Sequence, residues 1–211
     1  MTELPGSVEP LALAVCRLGL DPTRGVLRHP HQVGIAVRAA LFTELAGAGR
    51  LVGIHYPEVI GESDTGDPLP DALHRAVAGR RPTAWRRWYG HVEADRRAAT
   101  DGLVAAGRWR QEGRRLVDED PASTVLQQQR VAELLLDAKQ APDTLELTLL
   151  VLLAGGHGAG SRRPGPRRSR RLAKPWLQQR ASGHGGDATL AALVGAFRAM
   201  RRADSIPSLS R

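Results

Sequence analysis

Residues 36–54, AVRAALFTELAGAGRLVGI, decide how the chain is read. Leu and Ala fall along one helical face, a Gly stands where a left-handed residue can stop the helix, and extended residues follow at once. A close relative of the pattern returns at residues 100–110, TDGLVAAGRWR, with the same Ala-Gly-Arg step before a short extended run. Two helix-to-strand corners therefore frame the chain, and the remaining segments can be placed around them.

Upstream of the first corner, Ser7 is suited to cap a helix with Glu9 and Pro10 in its first turn, carrying Leu11, Leu13, Val15, Leu18 and Leu20. DPTRG at 21–25 reads as a turn and 26–28 as an extended piece before Pro30. The second helix spans 31–48 with Ile35, Leu41, Phe42 and Leu45 inward. Residues 51–54 and 56–60, interrupted by Pro57, read as short strands of a small ribbon.

Between the corners, the polar turn 62–67 precedes a helix opened by Pro68, bearing Leu69, Leu73 and Val77 and ended by GRRP at 79–82. From Thr83 one long helix carries Trp85, Trp88, Val92, Ala99, Leu103 and Val104 to a stop at Gly107. Residues 108–117 form a hairpin with Glu112-Gly113 at its turn, and DEDPAST at 118–124 caps a helix bearing Leu126, Val131, Leu134 and Leu135. The apolar helix 144–154 is hydrophobic all round and reads as central. A flexible loop at 155–166, two further helices at 167–180 and 187–202, and tails at 1–7 and 204–211 complete a mainly α, single globular domain.

The formal charge of +8 is uneven. No acidic residue lies between Glu146 and Asp187, whereas Arg162, Arg163, Arg167, Arg168, Arg170, Arg171, Lys174 and Arg180 all do, so the rest of the chain nets to zero. Such a run is either a solvated Arg-rich face or an anion-binding surface. The single cysteine, Cys16, sits in an apolar run and reads as a buried thiol in a reducing compartment. There is no basic leader before the first apolar stretch, and the longest apolar run is too short to cross a bilayer, so a cytoplasmic protein able to visit a membrane surface is expected.

Chemistry for catalysis does not assemble. The seven histidines lack carboxylate or cysteine neighbours at ligand spacing, so no metal and no cofactor are expected. No nucleophile elbow or positioned acid–base pair is present, and GGHGAG at 155–160 lacks the Lys-Ser/Thr ending of a phosphate loop, so the chain is not read as an enzyme. A winged-helix DNA reader also has helix, corner and ribbon, but here ribbon follows each corner where a polar recognition helix would be needed. Nucleic acid is the disfavoured partner, with the basic run 162–174 as the alternative route to it.

DTGDPLPDAL at 64–73 resembles the TGD-x-LLD-x-AL signature of the Golgi phosphoprotein 3 family. ELAGAGRL before it, LVAAGRW at 103–109, RRLAKPW at 170–176 and DATLAALVGAFRAM at 187–200 are similar to further segments of that family, in the same order. The Arg- and Ala-rich composition suggests one of its bacterial relatives. The resemblance implies a central apolar helical bundle surrounded by amphipathic helices, with a protruding β-hairpin. It also implies a peripheral membrane adaptor that holds the headgroup of phosphatidylinositol 4-phosphate between a Trp and several Arg.

Carried onto this chain, the pocket arginine of the second helix falls on Arg38, the two of the long helix on Glu93 and Arg96, and the Trp on His29. Arg97, Arg28 and Arg24 are placed to supply replacement charge. The hairpin residues Arg108, Trp109, Arg110, Arg114 and Arg115 are expected to lie against anionic lipid, with self-association as their other role. The expected partners are an anionic phospholipid headgroup, a membrane surface and a protein of unknown identity. A structural partner-binding domain with a vestigial lipid site is the remaining alternative.

Overall fold

The computed structural model describes residues 9–53, 56–81, 85–88 and 92–136. The expected cap at Ser7, the apolar helix 144–154, the loop 155–166, the basic run 162–174, the last two helices and both tails lie outside these residues. The described elements are mainly helical. They are α1 (Leu11–Leu18), β1 (Leu20–Asp21), β2 (Val26–Leu27), α2 (Pro30–Gly47), β3 (Leu51–Val52), β4 (Glu58–Val59), α3 (Pro68–Val77), α4 (Trp85–Trp88), α5 (Val92–Ala105), β5 (Trp109–Glu112), β6 (Arg115–Asp118) and α6 (Pro121–Leu136). Consecutive strands pair into three two-stranded antiparallel ribbons.

Among the described residues α2 is the central element. It is buried without a break from Gly34 to Thr43 and again at Leu45, because its Ala and Gly positions let neighbours approach on every side. It packs against α1, α3 and α5. Leu11 at the start of α1 meets Glu44 near the end of α2, while Gly19 after α1 meets Val33 near its beginning, so these two helices are antiparallel. Gly34 abuts Val92 and Arg38 pairs with Asp95, so α5 runs parallel to α2. Phe42 and Trp88 meet edge to face, with ring centroids 6.0 Å apart, and fill the space beside the contact.

The two expected corners are built identically. At the first, Gly49 has φ 68°, its N–H donates to Ala46 at 3.0 Å, and the Arg50 N–H reaches back to Leu45 at 2.7 Å. At the second, Gly107 has φ 67°, its N–H donates to Val104 at 3.0 Å, and the Arg108 N–H reaches Leu103 at 2.9 Å. Each satisfies helix-end carbonyls through a left-handed glycine and turns the chain directly into a ribbon. The TGD stretch is likewise a helix start. Asp67 accepts from the Leu69 N–H at 2.9 Å, and Asp71 accepts from the Thr65 N–H and hydroxyl at 2.8 and 2.9 Å.

Two expectations are corrected. Leu20 is not helical: α1 stops at Leu18, and the Arg28 N–H donates to Gly19, which sets Leu20 opposite Leu27 in the first ribbon. Of the long helix expected from Thr83, α4 and α5 are described, and residues 83–84 and 89–91 lie outside the described residues. The hairpin does not stand away from the body. The Leu116 N–H donates to Gly25 at 2.8 Å and Arg115 donates to the Thr23 carbonyl at 3.2 Å, so β6 is docked on the turn between β1 and β2.

A buried polar network fixes α6. Arg17, on the inner side of α1, pairs with Glu9 at 2.8 Å and donates to Thr124 at 2.9 Å and Gln127 at 2.6 Å. Gln128 donates to the carbonyls of Leu18 and Leu20 at 3.1 and 3.2 Å, satisfying the end of α1.

At the other end of α1, Glu44 takes the place of a local cap. Its Oε1 accepts from the Leu11 N–H at 2.6 Å and, at longer range, from Ala12 at 3.4 Å. Burial pushes the Glu44 carboxyl up to about 7; the bond from Leu11 opposes the rise and the charge of Asp67 adds to it. A carboxyl raised in the folded state binds protons there that the unfolded chain has released, so stability falls as pH rises from the unfolded value through about 7. Unfolding by urea at pH 5 and pH 8 is expected to show a loss of about 2 kcal/mol at the higher pH. Glu44→Gln keeps the acceptor and removes the charge, and should flatten that difference.

Candidate functional site

The first turns of α2 and α5 lie side by side because Gly34 has no side chain: a Cβ there would stand 2.7 Å from the Val92 carbonyl oxygen. This approach brings Arg38 of α2 against Asp95 of α5, the residue before Arg96 and Arg97. Arg38 points into the seam, 6% exposed, where its Nε pairs with Asp95 and its Nη1 donates to the Trp88 carbonyl at 3.0 Å. Its role there is to tie α2 to α4 and α5. A guanidinium so enclosed presents little of itself to an external phosphate.

The next two residues of α5 are arginines, of which the first is largely covered and the second stands in solvent. The Arg96 side chain is 18% exposed and that of Arg97 74%. Both face Glu93, which is exposed on the same helix: Arg96 donates to both carboxylate oxygens, and the Arg97 Nε lies 3.6 Å from Oε1. The bond from Arg96 holds the Glu93 carboxyl below its usual range, and the nearby charges of Arg97 and His31 add to the effect. His31, on the first turn of α2, thus belongs to the same cluster. Arg96 also borders Cys16, whose thiol burial pushes up to about 12 against the opposing hydrogen bond with Thr100 and the charge of Arg96. That thiol stays protonated and serves packing.

His29 is the residue before α2, exposed, with φ 45°; its carbonyl accepts from Gln32 and Val33 at 2.9 and 3.1 Å. Arg28, just before it, pairs with Asp21 at 3.3 Å, a contact held by charge more than by hydrogen-bond alignment. Arg24 is exposed at the turn of the first ribbon. These three lie on the segment that leads into α2, while Arg96 and Arg97 lie on α5.

The hairpin is less basic than its arginines suggest. Between residues 108 and 120, Arg108, Arg110, Arg114 and Arg115 are matched in number by Glu112, Asp118, Glu119 and Asp120. Arg110 bridges Glu112 at 2.6 Å and Glu119 at 2.9 Å. Trp109, expected to face the membrane, is 1% exposed and belongs to the core, the residue of β5 that turns inward next to the corner. Arg108, Arg114 and Arg115 are exposed.

Two acidic residues neutralise the cluster, and of these Glu93 is the one that sequence reasoning did not read as a partner. Asp95 enters the seam with Arg38, and Glu93 sits at i,i+3 and i,i+4 from Arg96 and Arg97, a spacing that marks ion pairing on a helix. Among the described residues no group of His, Cys, Asp and Glu is arranged to hold a metal, and no helix is long and apolar enough to cross a membrane.

A family model described as Golgi phosphoprotein 3 (GPP34) matches residues 11–200. A comparison with individual curated proteins gives no match.

The distinction between the enclosed and the outer arginines is measurable. Arg38→Ala leaves Asp95 buried without its counter-ion and is expected to cost about 3–5 kcal/mol in urea unfolding. Arg38→Met combined with Asp95→Leu should recover most of that loss, while Arg97→Ala should stay within about 0.5 kcal/mol of the parent.

Proposed function

The chain belongs to the Golgi phosphoprotein 3 family, and from that premise we propose that it is a peripheral adaptor that attaches reversibly to membranes by holding anionic lipid headgroups. The headgroup class is a phosphomonoester of the phosphatidylinositol 4-phosphate kind, and the side chains that hold it are Arg96 and Arg97 on α5. His31 contributes from the first turn of α2, and Arg24, Arg28 and His29 from the segment that leads into it. The observation that carries this reading is that Arg96 and Arg97 already share one oxyanionic group, the Glu93 carboxylate, in the forked arrangement that guanidinium uses for phosphate. Arg38 acts through geometry, fixing α5 against α2. The exposed hairpin arginines Arg108 and Arg114 add attraction toward an anionic surface, and protein partners engage the membrane-attached form. The function is one of binding, without a chemical reaction.

Near an anionic surface each basic side chain contributes about 1 kcal/mol, so Arg96→Ala with Arg97→Ala should lower vesicle partitioning roughly thirty-fold. The test is flotation of the full chain with vesicles containing phosphatidylinositol 4-phosphate, against vesicles in which phosphatidylserine supplies the same surface charge. A loss on both vesicles that is larger on the phosphomonoester ones is the expected result. Equal binding by the parent and the double variant on both vesicles would refute the assignment to α5.

A further inference from the structure

Glu93 is oriented as a ligand would be. Its two oxygens meet the Arg96 Nε and Nη2, and Oε1 is shared with the Arg97 Nε at 3.6 Å. A carboxylate and a phosphate present similar pairs of oxygens to a guanidinium fork. The Glu93 side chain is half exposed and lies at the water-facing side of α5, so it can rotate into solvent without disturbing the core. The bond from Arg96 holds its carboxyl below the usual range, so it is an anion at neutral pH.

Resting on the reading of Arg96 and Arg97 as headgroup-binding residues, we propose that Glu93 is a built-in competitor: a carboxylate tethered to the same helix that occupies the two guanidiniums and must swing away before a phosphate can be held. The pair is an exposed one, weak enough to open and strong enough to lower affinity. The competitor sets how strongly this chain holds a headgroup, and so how readily it leaves the membrane. Because the opposing effect is electrostatic, it scales with ligand charge. A phosphomonoester, carrying close to two negative charges, is opposed more strongly than a phosphodiester with one.

The test compares the full chain with Glu93→Gln and with Glu58→Gln, which removes an equal charge from an exposed site on β4. Each is floated with phosphatidylinositol 4-phosphate vesicles and with phosphatidylserine vesicles of matched surface charge. Glu93→Gln should bind the phosphomonoester vesicles roughly three- to ten-fold more tightly, with a smaller gain on phosphatidylserine. Adding Arg96→Ala and Arg97→Ala should erase the gain. If Glu93→Gln behaves like Glu58→Gln, or gains equally on both vesicles, the competition is refuted while the lipid reading stands. If no variant floats with either vesicle, both the competition and the lipid reading fail.

Discussion

A hydrogen atom at position 34, where any other residue would carry carbon, lets α2 and α5 meet backbone against side-chain root. Within that seam a guanidinium and a carboxylate, Arg38 and Asp95, are removed from most of the water and held by each other and by the Trp88 carbonyl. Buried ion pairs often return little net stability, but once committed they are costly to break, and they favour one register of packing over its neighbours. Sliding α5 by one turn would leave both charges buried and apart. Phe42 against Trp88 and the inward residues of α2 then pack around a fixed arrangement.

From that arrangement the surface follows. With Asp95 turned into the seam, Arg96 follows largely covered and Arg97 stands in solvent, both against Glu93, which also feels the charge of His31. The ribbon that precedes α2 ends at Leu27, with Arg24 at its turn and Arg28 and His29 between it and α2. On the far side of that ribbon the hairpin is tied down through Gly25, whose φ of 66° and close approach to Leu116 leave no space for a side chain. The hairpin thereby becomes part of the body, and its Trp109 serves the core.

Much of this was legible in the sequence. Residues 36–54 showed the central helix through its periodicity, and both corners through one Ala-Gly-Arg step, because a left-handed glycine and two backward hydrogen bonds are a local arrangement. The TGD turn was legible as a family signature, and its residues cap a helix. Of the first ribbon the turn and the second strand were legible and the first strand was not, since Leu20 continues the apolar run of α1. The candidate site was legible as a set of positive charges but not as a balance of charges. Asp95 meets Arg38 across 57 positions, which only the folded chain reveals. Glu93 could have been found from its spacing to Arg96 and Arg97, yet it was weighed as a missing arginine and not as their partner. The inward turn of Trp109 was lost for a related reason: four-residue alternation shows that a strand has two faces without showing which one the body covers.

The network around Arg17 has a consequence for how the protein is made. Arg17 bonds with Thr124 and Gln127, and Gln128 closes the end of α1, across spans of 107 to 110 positions. While the chain is emerging from a ribosome, α1 can pair early with α2, but a positive charge on its inner side waits for the whole of the intervening chain before it finds these partners. Bringing such distant segments together carries a loop-closure cost that grows slowly with length, and contacts of long sequence separation slow folding. The docking of α6 therefore follows the pairing of α1 with α2, and a ribosome-bound chain that stops before Thr124 carries an α1 whose arginine has only Glu9 to answer it.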